Sequence, residues 1–178
     1  MKKLTHDEIS KNRINLDTIN EADKMPVYVI LNSIRSSYNV GSIFRSSDGA
    51  MIKKLYLCGY TPHPPKKEIL KTALGSQDSV EWEYYENAEE LILNLKNKGI
   101  KILVLEQTDN NIPYYQIEKN DFPVGLVVGN EITGVEQKLI NLCDAAIEIP
   151  QYGIKQSLNV AVAYGIAIFE LRKVYSQY

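Results

Sequence analysis

The sequence lacks most of the features that would place a chain quickly. It has only two cysteines in 178 residues, Cys58 and Cys143, and they show no metal-ligand spacing, which argues against a zinc module or a disulfide scaffold. No apolar run reaches the roughly 20 residues needed to span a bilayer. The opening residues Met1-Lys2-Lys3-Leu4-Thr5-His6 lead into polar sequence rather than a leader's apolar stretch, so a cytoplasmic protein with reduced, structural cysteines is expected. Ten glycines and seven prolines are too few for a low-complexity segment, and no internal repeat is present. No G-x-G-x-x-G opens a helix, so the dinucleotide-binding fingerprint is missing. Charge of one sign is lacking too. A net charge of −2 argues against indiscriminate nucleic-acid binding by the whole surface. Local basic clusters remain at Lys2, Lys3, Lys11 and Arg13, at Lys53 and Lys54, at Lys66, Lys67 and Lys71, and at Arg172 and Lys173. Each cluster alone is more often solvated surface than an RNA footprint.

What is present is an ordinary core-forming chain, 44% hydrophobic and long enough for one domain. Residues 1 to 24 are polar without a sustained helical stripe and read as an extension, although Leu4, Ile9, Ile14, Leu16 and Ile19 could cover a partner surface. From Pro26 onward strands and helices alternate. The continuous apolar run 27–31 predicts a strand buried on both faces. A helix follows over 39–51 with Asn39 at its cap, then a strand over 52–59. The three prolines of 62–65 force a loop, and 66–74 reads as a short helix. A strand is expected over 79–85, a helix capped by Asn87 over 88–98, a strand over 100–105 and another over 124–128. Residues 135–142 read as a short helix, 145–150 as the last strand and 158–175 as a terminal helix with Gln156 or Ser157 near its cap; 117–121 has no clear assignment. Such alternation is the pattern of a parallel α/β domain.

Three constellations carry possible chemistry. The apolar strand ending in Gly129-Asn130-Glu131-Ile132-Thr133-Gly134 places glycines where α/β folds bind ligands, and a tight turn explains them as well. In Ile149 to Asn159, a strand, a glycine-bearing loop and a helix start can cradle a small ligand, or Ser157 can simply cap the helix. In Asn39 to Asp48, Arg45 either pairs with Asp48 or faces a phosphate-bearing substrate.

Taken in order, these blocks resemble the SpoU (TrmH-like) group of the SPOUT superfamily. They are Asn39-x-Gly41-x-x-x-Arg45, then Val127-Val128-Gly129-Asn130-Glu131-x-x-Gly134, then Ile149-Pro150 followed by Ser157-Leu158-Asn159-Val160-Ala161-x-Ala163. The resemblance implies a parallel-sheet α/β/α domain over residues 25–178 whose C-terminal part is threaded into a deep trefoil knot, an exception to the rule against threaded chains. It implies an S-adenosyl-L-methionine pocket built around Leu105, Gly129, Ile149 and Leu158, and a homodimer whose active site is completed near the subunit interface. The reaction implied is methylation of a ribose 2'-hydroxyl in structured RNA, tRNA favoured over ribosomal RNA, with no metal required. A non-catalytic RNA-binding or assembly protein of the same fold is the alternative, and a base-methylating knotted enzyme is a second rival. Arg45 would engage the RNA phosphate at the reacting ribose. Its electrostatic role is physically firmer than any role as proton acceptor, because a guanidinium is too basic. Asn39 would orient Arg45 or the ribose, and Glu131, Ser157 and Asn159 would arrange the nucleotide and loops. Thr72-Ala73-Leu74-Gly75-Ser76 resembles a family block near the RNA face, where Lys71 could meet a phosphate. The family commonly has glycine where Met51 stands, so the turn after the Arg45 helix is expected to differ.

Overall fold

A computed structural model describes residues 1–11, 13–19 and 21–176. Its strands are β1 (Met25–Asn32), β2 (Ile52–Cys58), β3 (Trp82–Tyr85), β4 (Lys101–Leu105), β5 (Asn111–Pro113), β6 (Val124–Val128) and β7 (Ala145–Glu148). The helices are α1 (His6–Ser10), α2 (Ser37–Ala50), α3 (Lys67–Ala73), α4 (Ser76–Ser79), α5 (Ala88–Asn97), α6 (Gln137–Ile140) and α7 (Val160–Ser176). The strands form one sheet in the order β3-β2-β1-β6-β4-β7-β5, every neighbouring pair parallel.

Two apolar clusters, one on each face of the sheet, explain why the central strands read as unbroken apolar runs. Val27, Val29 and Leu31 of β1 join Val40, Ile43 and Phe44 of α2, Ile69 of α3 and Tyr164, Ile168 and Leu171 of α7. On the other face Ile30 joins Leu91, Ile92 and Leu95 of α5 and Leu139 of α6. Burying one such Leu or Ile side chain contributes about 1.5–3 kcal/mol. Tyr164 is fully buried, and its hydroxyl lies 2.7 Å from that of Ser47, tying α7 to α2. Burial raises the pKa of the Tyr164 phenol, so it stays protonated. Burial likewise pushes the Cys58 and Cys143 thiols up to about 12, which makes them inert packing groups.

Several boundaries differ from the sequence expectation. Residue 79, read as the start of a strand, instead ends α4, because the Ser79 hydroxyl turns back to the Ser76 carbonyl and to the Asp48 carboxylate, and β3 begins only at Trp82. A short edge strand, β5, lies where no strand was expected, its three half-buried residues carrying no apolar alternation. The segment 119–121 is one turn of 3-10 helix, and α6 is limited to four residues. Among the described residues no helix is long and apolar enough to cross a membrane.

Candidate active site

The carboxyl ends of β6, β4 and β7, adjacent in the sheet, open into a cleft of about 510 Å³. Leu105, Val128, Ile149, Leu158 and Ala163 supply apolar walls. The charged groups in the lining are the carboxylates Glu106, Glu131 and Glu148, with no lysine or arginine among them. All four residues expected at a cofactor, Leu105, Gly129, Ile149 and Leu158, line this cleft, as do Glu131, Ser157 and Asn159. Asn39, Arg45 and Lys71 do not.

The glycines of the 129–134 segment serve the turn. Asn130 and Gly134 exchange backbone hydrogen bonds of 3.2 and 3.0 Å, and Gly134 has φ +67°. A β-carbon on Gly129 would come within 2.5 Å of the Gly134 carbonyl carbon and of the Val135 nitrogen, so no side chain fits there. The turn is locked from inside by Asn130, whose Oδ1 accepts from the backbone N–H groups of Ile132 and Thr133 while its amide donates to the Ser33 carbonyl and the Tyr60 hydroxyl.

Glu131 leaves this turn and reaches the start of α2. Its Oε2 accepts from the Arg35 backbone N–H at 2.8 Å; its Oε1 accepts from the Ser36 N–H at 3.0 Å and from the Asn39 side-chain amide at 2.8 Å. Burial pushes the Glu131 carboxyl pKa up, but these donors outweigh it and hold it below the ordinary carboxylate range. Asn39 Oδ1 in turn accepts from the Asn159 amide at 3.1 Å, and Asn159 Oδ1 accepts from the N–H groups of Ala161 and Val162. One chain of hydrogen bonds therefore joins the ends of β1 and β6 to the N-termini of α2 and α7. It corrects two expectations. Ser36, not Asn39, caps α2, and Asn159, not Gln156 or Ser157, caps α7. Asn39 lies within the first turn of its helix with its side chain turned toward Glu131.

Arg45 lies further along α2, exposed, in a second depression of about 460 Å³ with Ser42, Ser46, Lys71, Thr72, Leu74 and Phe169. The alternative of an Arg45–Asp48 pair is not realised, since Asp48 accepts from Ser79. Among the described residues neither Arg45 nor Lys71 makes an ion pair. Gly41 lets α2 lie against α3, because a β-carbon there would be 2.4 Å from the Ile69 carbonyl oxygen. A third depression, at the ends of β1 to β3, is lined by Glu83, Glu86, Glu89, Glu90 and Glu136 with Lys138.

Sequence reasoning passed over Glu106, Gln107 and Glu148, all in the cleft lining. A signal for Glu106 was available, since it directly follows an apolar strand in an α/β alternation, where ligand groups sit. Met51 adopts φ 51°, ψ 54°, so the turn after α2 is one that suits glycine, formed here by a residue with a side chain.

Comparison with known proteins points the same way as this geometry. The SpoU rRNA Methylase family model matches residues 26–169. A tRNA (guanosine(18)-2'-O)-methyltransferase of Aquifex aeolicus is 30% identical over 166 residues, 93% of this chain and 77% of that protein. The crystal structure of the A. aeolicus TrmH/SpoU tRNA modifying enzyme superposes with a TM-score of 0.80 at 28% identity, covering 89% of this chain and 80% of that one. An AdoMet-bound rRNA methyltransferase from Sinorhizobium meliloti gives 0.78 at 29% identity over 87% of this chain and 59% of that chain. Of several other curated relatives the chain spans between 57% and 66% of the length. The parallel α/β sheet is consistent with the knotted fold of these enzymes. With the family model covering most of its length, the chain belongs to the SpoU methylase family.

Proposed function

We propose that the chain transfers the methyl group of S-adenosylmethionine to a ribose 2'-hydroxyl of structured RNA, tRNA in preference to ribosomal RNA, acting as a homodimer. The methyltransferase domain is residues 25–178, with 1–24 an extension. The observation that carries this reading is the cleft at β4, β6 and β7, whose donor set suits the cofactor. A phosphate-bearing dinucleotide would meet three carboxylates and no cation there. S-adenosylmethionine has no phosphate and carries a net positive charge, its sulfonium and ammonium outnumbering one carboxylate. Leu105, Val128, Ile149 and Leu158 offer apolar surface to the adenosyl group. When bound, the cofactor supplies an electrophilic methyl carbon and a neutral leaving group.

The chain's own residues then bind, position and screen. Arg45 and Lys71 hold RNA phosphates, and Arg45 stabilises charge developing at the attacking 2'-oxygen. Glu131, Asn39 and Asn159 fix α2, and with it Arg45, relative to the cleft, while Ser157 lies at the cleft wall within reach of the incoming nucleotide. The acidic depression beside β3 repels a polyanion, which leaves the Arg45 and Lys71 side as the approach. Dimerisation is supported by α7, where Val162 and Phe169, seven residues apart on one helical face, are 52% and 49% exposed. Phe169 also borders the Arg45 depression and Leu158 the cleft, so a second copy seated on this face would meet both. The tRNA preference is supported by the Aquifex relative, which covers more of both chains than the Sinorhizobium rRNA methyltransferase named above.

Incubation with methyl-labelled S-adenosylmethionine and separated tRNA and ribosomal RNA, followed by nucleoside mass analysis, tests the reading. Label in a ribose-methylated nucleoside of the tRNA fraction is expected. Label confined to ribosomal RNA would overturn the tRNA preference, and label on a base would overturn the reaction. Cofactor binding without label in either fraction would favour the non-catalytic alternative.

A further inference from the structure

The cleft contains more polar groups than its neighbours use. Asn130 and Asn159 commit their side-chain oxygens to backbone N–H groups of their own turns. Glu131 has three donors already, all on α2 or the loop before it. Glu106 is different. It directly follows β4, the middle strand of the three that floor the cleft, and its backbone N–H extends the ladder to the Ile147 carbonyl at 3.1 Å. Each of its carboxylate oxygens takes one backbone donor, Gln107 N–H to Oε1 at 2.9 Å and Val135 N–H to Oε2 at 3.0 Å. Two anchors from different loops fix the plane of the group, and each oxygen keeps a further acceptor position. The carboxylate is also seated against Gly134, where a β-carbon would lie 2.3 Å from Oε2. Room has been left for a rigid pair of acceptors facing a cleft.

We propose that Glu106 receives the two ribose hydroxyls of the adenosyl group and so selects a ribonucleoside cofactor; this rests on the cofactor reading above. A vicinal diol presents two parallel O–H donors, and a carboxylate held in one plane is the side chain that accepts both at once. An acidic residue beyond the end of a parallel strand holds a ribose diol in dinucleotide-binding folds by the same chemistry. Glu148, the other cleft carboxylate with spare capacity, has among the described residues a single side-chain partner, Asn111 Nδ2 at 3.0 Å, at the outer end of β7. It lacks the double backbone anchor that makes Glu106 a fixed template.

The test is calorimetric and needs no turnover. S-adenosylhomocysteine and its 2',3'-dideoxyribose analogue are titrated into the wild-type chain, Glu106→Ala and Glu106→Gln. The wild type is expected to bind the ribose form roughly 10- to 100-fold more tightly, the range for hydrogen bonds to a charged group. Glu106→Ala should lose that preference to within about 3-fold and Glu106→Gln should keep part of it. A purely structural role for Glu106, holding the Gly134–Val135 turn, would weaken both ligands equally and leave the preference intact, which overturns the proposal. If neither variant folds, the wild-type preference decides, and equal affinity for the two ligands overturns it. Failure of the wild type to bind S-adenosylhomocysteine or S-adenosylmethionine at all would remove the cofactor reading itself, a distinct result.

Discussion

The cleft and the Arg45 depression are similar in size, about 510 and 460 Å³, and opposite in charge. One has three carboxylates and no cation in its lining; the other has Arg45 and Lys71 and no carboxylate. Two of the cleft's three carboxylates, Glu106 and Glu131, are tied down by backbone donors, whereas the cations of the depression stand free of ion pairs among the described residues. A fixed charge suits a small ligand that must be held in one pose. An unpaired, exposed charge suits a phosphate backbone that arrives and leaves, releasing counterions as it binds. Both sites hang on α2, whose first turn is clamped to the cleft through Asn39 and whose middle carries Arg45.

Breaking the cationic side should have the largest effect. Arg45→Ala is expected to lower the methyl-transfer rate about 100-fold or more, while calorimetry finds cofactor affinity within about 3-fold of wild type. Near-normal turnover in that variant would show that the Arg45 depression does not serve the reaction. A matching loss of cofactor binding would show that the two depressions are not separate.

Breaking the clamp should cost less and should show in stability. Glu131→Gln removes the charge that three donors share, and a loss of about 1–2 kcal/mol at neutral pH is expected, given partial exposure. The Glu131 pKa is lowered in the folded chain. Its contribution is therefore present above the unfolded value of roughly 4.3 and is lost as pH falls through the folded value. Urea unfolding of both proteins should give a gap at pH 7 that narrows toward pH 3. A gap of constant size would mean that the carboxylate charge is not what holds the clamp.

At the other end of the same chain of bonds, Asn159→Ala should cost about 1 kcal/mol through the lost cap of α7. Ser157→Ala, at an exposed residue that caps nothing, should be neutral in stability by thermal melting. Equal losses would return the cap to Ser157, one of the two positions the sequence alone offered.

That misplacement shows what was legible and what was not. Strands β1, β4 and β6 were readable because burial on two faces demands apolar runs, β2 from its buried second half Leu55 to Cys58, and Asn87 was readable as a cap because its contacts are local. Asn39 and Asn159 look like caps by type and position, and only one of them is. Asn39 is drawn away by Glu131, 92 residues distant in sequence, and no local rule contains that partner. The cleft residues expected from the motif blocks lie together; the place of Glu106 directly after a strand marked it as a candidate, but what fixes its carboxylate, the Val135 N–H, is supplied by a strand-to-helix turn far along the chain. Short β5 carries too few residues to show a period.

The smallest effect separates the helix from the sites that it connects. Met51 closes α2 in the left-handed region, where a side chain costs about 1 kcal/mol relative to glycine. Met51→Gly relieves that strain but gives up some side-chain contact and loosens the unfolded chain. A net gain of about 0.5 kcal/mol is expected, a rise of one or two degrees in melting temperature. Cofactor affinity and transfer rate should not change, because the clamp at Asn39 and the position of Arg45 are set upstream of the turn. A changed rate with unchanged cofactor affinity would mean that strain at the end of α2 reaches Arg45, and that the helix is part of the catalytic arrangement rather than a spacer between two independent sites.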